Sequence, residues 1–88
     1  MSLAGLPNLG PKSRDMLERA GIVSVPQLRR LGAVAAYAQV QRSGQPASLN
    51  LLWALEGALT GTPWQQVARE HRTSLLLALD GHQSRDRA

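Results

Sequence analysis

The chain of 88 residues is long enough for one domain, and a domain of this size buries only roughly 60 to 65% of its unfolded surface. Ten Lys and Arg residues against six Asp and Glu residues give a net charge of +4, which permits a nucleic-acid partner without requiring one. The absence of cysteine excludes a disulfide framework, a thiolate metal site and a cysteine nucleophile.

The apolar composition indicates an all-α domain. The hydrophobic content is 43%, but aromatic residues make up only 3%, so the core is built from Leu, Val, Ile and Ala, which favour close helix packing. No run of 18 apolar residues is present, and the N-terminus lacks the basic and apolar regions of a secretory signal. We therefore expect a compact bundle of about five short helices, in the cytoplasm and without a membrane partner.

The first element is a tight turn over residues 6–13 that opens directly into a helix. Gly10 stands where the chain reverses, a place that commonly requires a positive φ or a close approach of another backbone segment. Pro11 presets φ for the first helical turn. We therefore predict a helix-hairpin-helix, of the SAM-like kind, with one helical turn over residues 3–6 and a second helix over residues 11–20.

Backbone N–H groups at the start of this second helix have no partner within the helix and together form a place for an anion. Pro11 removes one donor, so the N–H groups of Gly10, Lys12 and Ser13 remain, and the Lys12 ammonium adds a positive charge. The alternative is an ordinary corner that binds nothing, and Asn8 stands where such hairpins usually carry a glycine. The candidate phosphate-binding residues are Gly10, Lys12, Ser13, Arg14, Arg29 and Arg30.

Helix caps divide the next part of the chain into two short helices. Gly21 caps the preceding helix, and residues 24–27, Ser-Val-Pro-Gln, form a capping box in which the Ser oxygen and the Gln side chain satisfy each other's unpaired donors. The helix that follows ends at Gly32, and an Ala-rich helix over residues 33–43 ends before a Gly and a Pro. The positions predicted to face the core are Val25, Leu28, Leu31, Val34, Tyr37, Ala38 and Val40.

Ser48 caps the longest apolar helix, residues 49–60, whose positions divide into two faces at about 100° per residue. One face is apolar and is predicted to face the core: Leu51, Leu52, Leu55, Ala58 and Leu59. The other face is small and polar and would let another helix approach closely. Trp53 beside it serves either a dimer interface or the domain's own core, and the second interpretation is favoured. The candidate interface residues are Leu49, Trp53 and Tyr37.

The last part of the chain is predicted to be one more helical stretch and a tail. The long helix ends at a Gly, and residues 62–65 form a second capping box with Pro at the first helical position. A helix then extends to Asp80, with a candidate break near Ala68. Its inward positions are Trp64, Val67, Leu75, Leu76 and Leu79. The domain therefore covers residues 1–80, and residues 81–88 form a flexible polar tail.

The chain shows no constellation of residues for catalysis. His71 and His82 are far apart, and neither has a second metal ligand at helical spacing, so we predict no metal site and no cofactor. Glu70 is adjacent to His71 in sequence, and adjacent helical residues point in different directions. Glu56 lies on a largely apolar helix and needs a partner, either an Arg or a set of N–H groups, which favours a structural bridge over catalysis. We expect a protein that is not an enzyme.

Five segments carry a resemblance to a known family. They are residues 9–13 (Leu-Gly-Pro-Lys-Ser), 20–22 (Ala-Gly-Ile), Leu28 with 31–34 (Leu-Gly-Ala-Val), the long block 48–61 (Ser-Leu-Asn-Leu-Leu-Trp-Ala-Leu-Glu-Gly-Ala-Leu-Thr-Gly), and Trp64 with 75–77 (Leu-Leu-Leu). Over about residues 3–80 the chain resembles the C-terminal domain family of TfoX (Sxy), bacterial regulators of competence for DNA uptake. The resemblance implies a compact helical domain related to helix-hairpin-helix modules, a regulatory role in DNA transformation, and no catalytic residue.

Two functional classes follow. The first is a nucleic-acid-associated regulatory module whose turn binds DNA weakly and without sequence preference, because phosphate contacts carry no base information. The second is a protein-interaction module that forms a homodimer or binds a protein of the transcription machinery. The hairpin and the resemblance both favour the first class. Asp15 and Glu18 argue against a uniformly basic face, so the anion site is local.

Overall fold

The computed structural model describes residue 6 and residues 9–87, with side chains up to residue 83. Within this part every regular element is an α-helix, which confirms the all-α class with about five helices. Residues 1–5, Pro7 and Asn8 of the predicted hairpin lie outside the described residues, so the helix-hairpin-helix subtype stays a prediction. The helices are α1 (Pro11–Arg19), α2 (Val25–Arg42), α3 (Leu49–Thr60), α4 (Trp64–Glu70) and α5 (Arg72–Arg87).

The end of α1 confirms the predicted glycine cap. Gly21 has φ 90°, and its N–H donates to the Glu18 carbonyl at 3.0 Å. The Ile22 N–H donates to the Leu17 carbonyl at 2.9 Å, which completes a Schellman motif. Because Leu17 and Ile22 are both fully buried, the chain turns from α1 directly into the core.

The start of α2 differs in detail from the predicted capping box. Ser24 Oγ accepts the Gln27 N–H at 3.3 Å, as predicted. The Gln27 side chain, however, accepts the Val23 N–H at 3.0 Å instead of the Ser24 N–H, and its Nε2 donates to the Gly21 carbonyl at 2.7 Å. Farther along α2, Gly32 has φ 80° and ψ 165° and breaks the helix where the sequence predicted an end.

The core lies around α3, which contacts α2 and α4. α2 also contacts α1 and α5, and α4 contacts α5. The small residues Ala54 and Gly57 of the second face of α3 are buried as well, so the close helix approach that they permit occurs within the chain. The largest fully buried side chains are Leu17, Ile22, Leu28, Val40, Leu52, Leu55 and Val67.

The C-terminal part differs from the sequence predictions. α4 and α5 are separated at His71, not near Ala68, and α4 begins at Trp64 with Pro63 as its N-cap, one residue later than predicted. The prediction that Trp64 faces the core is wrong: it is 37% exposed, because the side chain of a first helical residue leans toward the helix start. α5 continues to Arg87, beyond the helix end predicted at Asp80.

Candidate functional site

The backbone before α1 is extended, which corrects the prediction for Gly10. Gly10 has φ −75° and ψ 175°, and a Cβ added there would meet no atom within 4 Å. The predicted positive φ or close backbone approach is therefore wrong. The cause is Pro11, whose ring restricts the preceding residue to extended conformations. Gly10 is the N-cap of α1, and its carbonyl accepts the Arg14 N–H at 3.0 Å.

The first turn of α1 has no side-chain cap. Within the described part of the chain, the N–H groups of Lys12 and Ser13 have no hydrogen-bond partner. Gly10 and Lys12 are exposed and Ser13 is half-buried, so solvent reaches this turn. Unpaired donors and aligned peptide dipoles at a helix start favour an anion. Among the described residues, these N–H groups are the donors that the sequence predicted for this turn.

A groove of about 340 Å³ opens beside this turn. The N-terminal residues of three helices meet there: Lys12 and Ser13 of α1, Asn50 of α3 and Trp64 of α4. Among the described residues that line it, one is a cation and none is a carboxylate. The lining residues are Lys12, Ser13, Met16, Pro46, Ser48, Asn50, Leu51, Ala54 and Trp64.

α3 also begins at this groove without a side-chain cap. Ser48 is the N-cap, as the sequence predicts, but its side chain makes no capping hydrogen bond. The Leu51 N–H instead donates to the Ser48 carbonyl at 3.0 Å. Three helix starts without a side-chain cap, those of α1, α3 and α4, therefore border the same groove.

The loop between α2 and α3 is held beside the groove by two side chains. The Tyr37 hydroxyl donates to the Ala47 carbonyl at 2.9 Å, and burial raises the pKa of Tyr37, so the hydroxyl keeps the proton that it donates. Gln45 Nε2 donates to the Met16 carbonyl at 2.9 Å and ties the loop to α1. Met16 lines the groove and the loop leads into α3, so these bonds hold the loop before α3 beside α1.

The groove brings together only part of the predicted phosphate-binding set. Lys12 and Ser13 line it, whereas Arg14 is half-buried on α1, and its Nε has no hydrogen-bond partner within the described residues. Arg29 and Arg30 are exposed on α2. Arg30 borders a different groove, which it shares with other residues of α2. Neither arginine of α2 is among the described residues that line the groove beside the turn.

Sequence reasoning missed Asn50 and Trp64 as site residues. Each lies in the first turn of a helix whose start the sequence predicts, and helix starts are recurrent anion sites. That signal was present for each helix separately. Nothing in the sequence pattern shows that three helix starts meet at one groove.

The candidate interface residues divide into buried and exposed ones. Trp53 is 4% exposed and Tyr37 is 2% exposed, so both side chains pack inside the chain's own core. Leu49 is 37% exposed and is the one member of the set that reaches the surface. The burial of Trp53 agrees with the interpretation favoured from the sequence, that it covers the core.

The remaining ionisable residues bear on metal binding and on the partner of Glu56. In the described part of the chain, no group of three or more His, Asp or Glu side chains is positioned to hold a metal ion, and no helix is long and apolar enough to cross a membrane. Glu56, predicted to bridge to an Arg or to a set of N–H groups, makes no ion pair within these residues. An ion pair joins Arg19 Nε to Asp15 Oδ2 at 3.0 Å on the surface of α1.

Fold and groove together define a small all-helical domain with a cationic groove where several of its helices begin. The chain belongs to the TfoX C-terminal domain family, whose family model matches residues 1–79. The resemblance found in the sequence is thereby confirmed.

Two relatives carry names that refer to DNA transformation. The chain is 35% identical over 78 residues to the DNA transformation protein TfoX of Haemophilus influenzae, covering 89% of this chain and 36% of that protein. It is 29% identical over 75 residues to the DNA transformation protein TfoX1 of Aliivibrio fischeri, covering 84% of this chain and 36% of that protein. The chain thus spans little more than a third of the length of these relatives. No solved structure matches it significantly.

Proposed function

We propose that this chain is a regulatory module of DNA transformation that associates with DNA phosphates through the first turn of α1, residues 10–13. Family membership supports the role in transformation, since both relatives are named as DNA transformation proteins. The association with DNA depends on a single observation, the uncapped first turn of α1 beside the exposed Lys12.

The charges around this turn favour an anion. Lys12 contributes a point charge next to the unpaired N–H groups, and the dipole of α1 adds partial positive charge. Asp15, the nearest acidic residue in sequence, is paired with Arg19, which offsets part of its charge. Because the contacts are to phosphates, binding is independent of base sequence, and because few phosphates are engaged, it is weak and sensitive to salt.

Charge reversal at the turn tests the proposal. Lys12→Glu is compared with Arg69→Glu, a substitution on α4 that changes the net charge by the same amount at an exposed position outside the groove. Affinity for labelled duplex DNA is titrated at several salt concentrations. We expect a salt slope of roughly 0.9 logarithmic units per engaged phosphate, and we expect Lys12→Glu to lower the affinity and to reduce that slope by about one.

The control separates a local site from general attraction to a basic protein. If Arg69→Glu weakens binding as much as Lys12→Glu, or if neither variant changes it, the turn is not the binding site. Circular dichroism of both variants establishes that they are folded. Dimerisation through Leu49, Trp53 and Tyr37 has less support, because two of these three side chains are buried.

A further inference from the structure

We infer that the groove where α1, α3 and α4 begin holds an unpaired base of single-stranded DNA, with Trp64 as the stacking surface and Lys12 beside the adjoining phosphate. The inference rests on the proposed function and names the form of DNA that the chain prefers. It is carried by three properties of the groove: its size, its exposed aromatic residue and its charge.

The groove has the size of a site for a small ligand. Its volume of about 340 Å³ lies at the lower end of the range of about 300–1,000 Å³ that such sites occupy. This space suits one nucleotide. A base within a duplex must first be unpaired and unstacked before it enters such a pocket, whereas a base of a single strand needs no unpairing.

Trp64 supplies the aromatic surface. It lines the groove, and 37% of its surface is exposed. The other tryptophan, Trp53, is only 4% exposed and belongs to the core. Exposed aromatic side chains beside a positively charged groove are the surfaces on which single-strand binding proteins stack bases, with little dependence on sequence. Trp64 is therefore placed for stacking, whereas Trp53 is not.

Charge complementarity selects a nucleotide over an uncharged apolar ligand. Among the described lining residues, Lys12 is the one ionised side chain and none is a carboxylate. Asn50, which is exposed on α3, offers both a donor and an acceptor for a base edge. A cation, an amide and an aromatic ring in one groove match the phosphate, the edge and the face of a nucleotide.

The first test compares a short labelled oligothymidine with a duplex of the same length. Fluorescence anisotropy gives both affinities for the wild type, Trp64→Ala and Trp64→Phe. We expect the wild type to bind the single strand more tightly than the duplex. In Trp64→Ala the affinity for the single strand should fall roughly 5- to 150-fold, and the affinity for the duplex should stay unchanged. Trp64→Phe keeps most of the affinity because an aromatic face remains.

Tryptophan emission provides a second measurement on the same complex. Because Trp53 is buried, unlabelled oligothymidine is expected to quench mainly the emission of Trp64. Trp64→Phe should therefore abolish most of the quenching while still binding DNA. Quenching that persists in Trp64→Phe would place the bases away from Trp64 and would overturn the inference.

A matched pair of substitutions tests the groove without altering Trp64. Asn50→Asp and Thr73→Asp each add one negative charge at the second residue of a helix, where an acidic side chain favours the fold. Asn50 lines the groove and Thr73 does not. We expect Asn50→Asp alone to weaken single-strand binding. Equal effects of the two substitutions would contradict the assignment.

The failures of the two proposals are distinguishable. Equal affinity for both DNA forms together with unchanged binding by Trp64→Ala overturns the base site, while the proposed function stands if Lys12→Glu still weakens binding. No binding of either form by the wild-type chain overturns both.

Discussion

The chain begins two neighbouring helices in opposite ways. At the start of α2, Ser24 caps the Gln27 N–H, and the Gln27 side chain satisfies the Val23 N–H and the Gly21 carbonyl. At the start of α1, Gly10 occupies the same N-cap position and offers no side-chain acceptor. Both helices have a proline in the first turn, so the N-cap residue makes the difference.

The comparison is between a helix start whose N–H group is capped by a side chain and a helix start that has no side-chain cap. A side-chain cap contributes about 0.5–2 kcal/mol to stability, and a small domain has a thin stability margin. Gly at an N-cap costs only a few tenths of a kcal/mol relative to Ser, so the start of α1 gives up little stability, and the N–H groups of Lys12 and Ser13 have no partner among the described residues. We therefore expect substitutions before α2 to change the stability of the domain, and substitutions before α1 to change its binding.

The largest effect is expected at Gly21, which leads from α1 into the capped start of α2. Its φ of 90° is a left-handed conformation, and a Cβ added there meets only Gln39 Nε2, at an ordinary distance of 3.9 Å. The cost of Gly21→Ala is therefore conformational, about 1–2 kcal/mol. Urea unfolding followed by circular dichroism measures it. An unchanged midpoint would show that the turn adopts another conformation at little cost.

A smaller effect is expected from removing the cap of α2. Ser24→Ala removes an acceptor that is in use and should lower the free energy of unfolding by about 1 kcal/mol. Ser48→Ala is the matched control, because Ser48 is also an N-cap but makes no capping hydrogen bond. The control should change stability much less. Equal losses would mean that the hydroxyl of Ser24 does not act through the cap seen here.

The helices could be predicted because their limits are set by local chemistry. The left-handed Gly21 and Gly32 lie where the sequence predicted helix ends, and Ser24 caps α2 through the predicted acceptor. The error at Gly10 is local as well: the reversal of the chain was given more weight than the extended conformation that Pro11 imposes.

The groove could not be predicted in the same way, because it depends on contacts between distant segments. Lys12, Asn50 and Trp64 come from three helices that meet through the packing of α3 on α4 and through the loop that Gln45 ties to Met16. Helical periodicity assigned Trp64 to the core because it treats the first residue of a helix like any other. The sequence predicted the N–H groups at the start of α1, because a helix start is a local feature. It did not predict that Asn50 and Trp64 lie beside them in one groove.

The smallest change in stability, and the sharpest test of the comparison, is expected from giving α1 the cap that α2 has. Gly10→Ser introduces an acceptor into extended backbone where an added Cβ meets nothing within 4 Å. The new hydroxyl should accept an open N–H of Lys12 or Ser13 and stabilise the domain by a few tenths of a kcal/mol. It should also weaken DNA binding, because the donor that it occupies no longer reaches a phosphate. Thermal unfolding and DNA titration are measured on the same samples.

Gly10→Ala is the control for this substitution, since it adds the Cβ without the acceptor. We expect it to bind DNA like the wild type, so that the loss in Gly10→Ser reports the hydroxyl alone. A Gly10→Ser variant that is stabilised but binds DNA with unchanged affinity would show that the amides of α1 are open without being used. The difference between the two helix starts would then concern stability only, and the DNA contact would have to lie elsewhere on the domain.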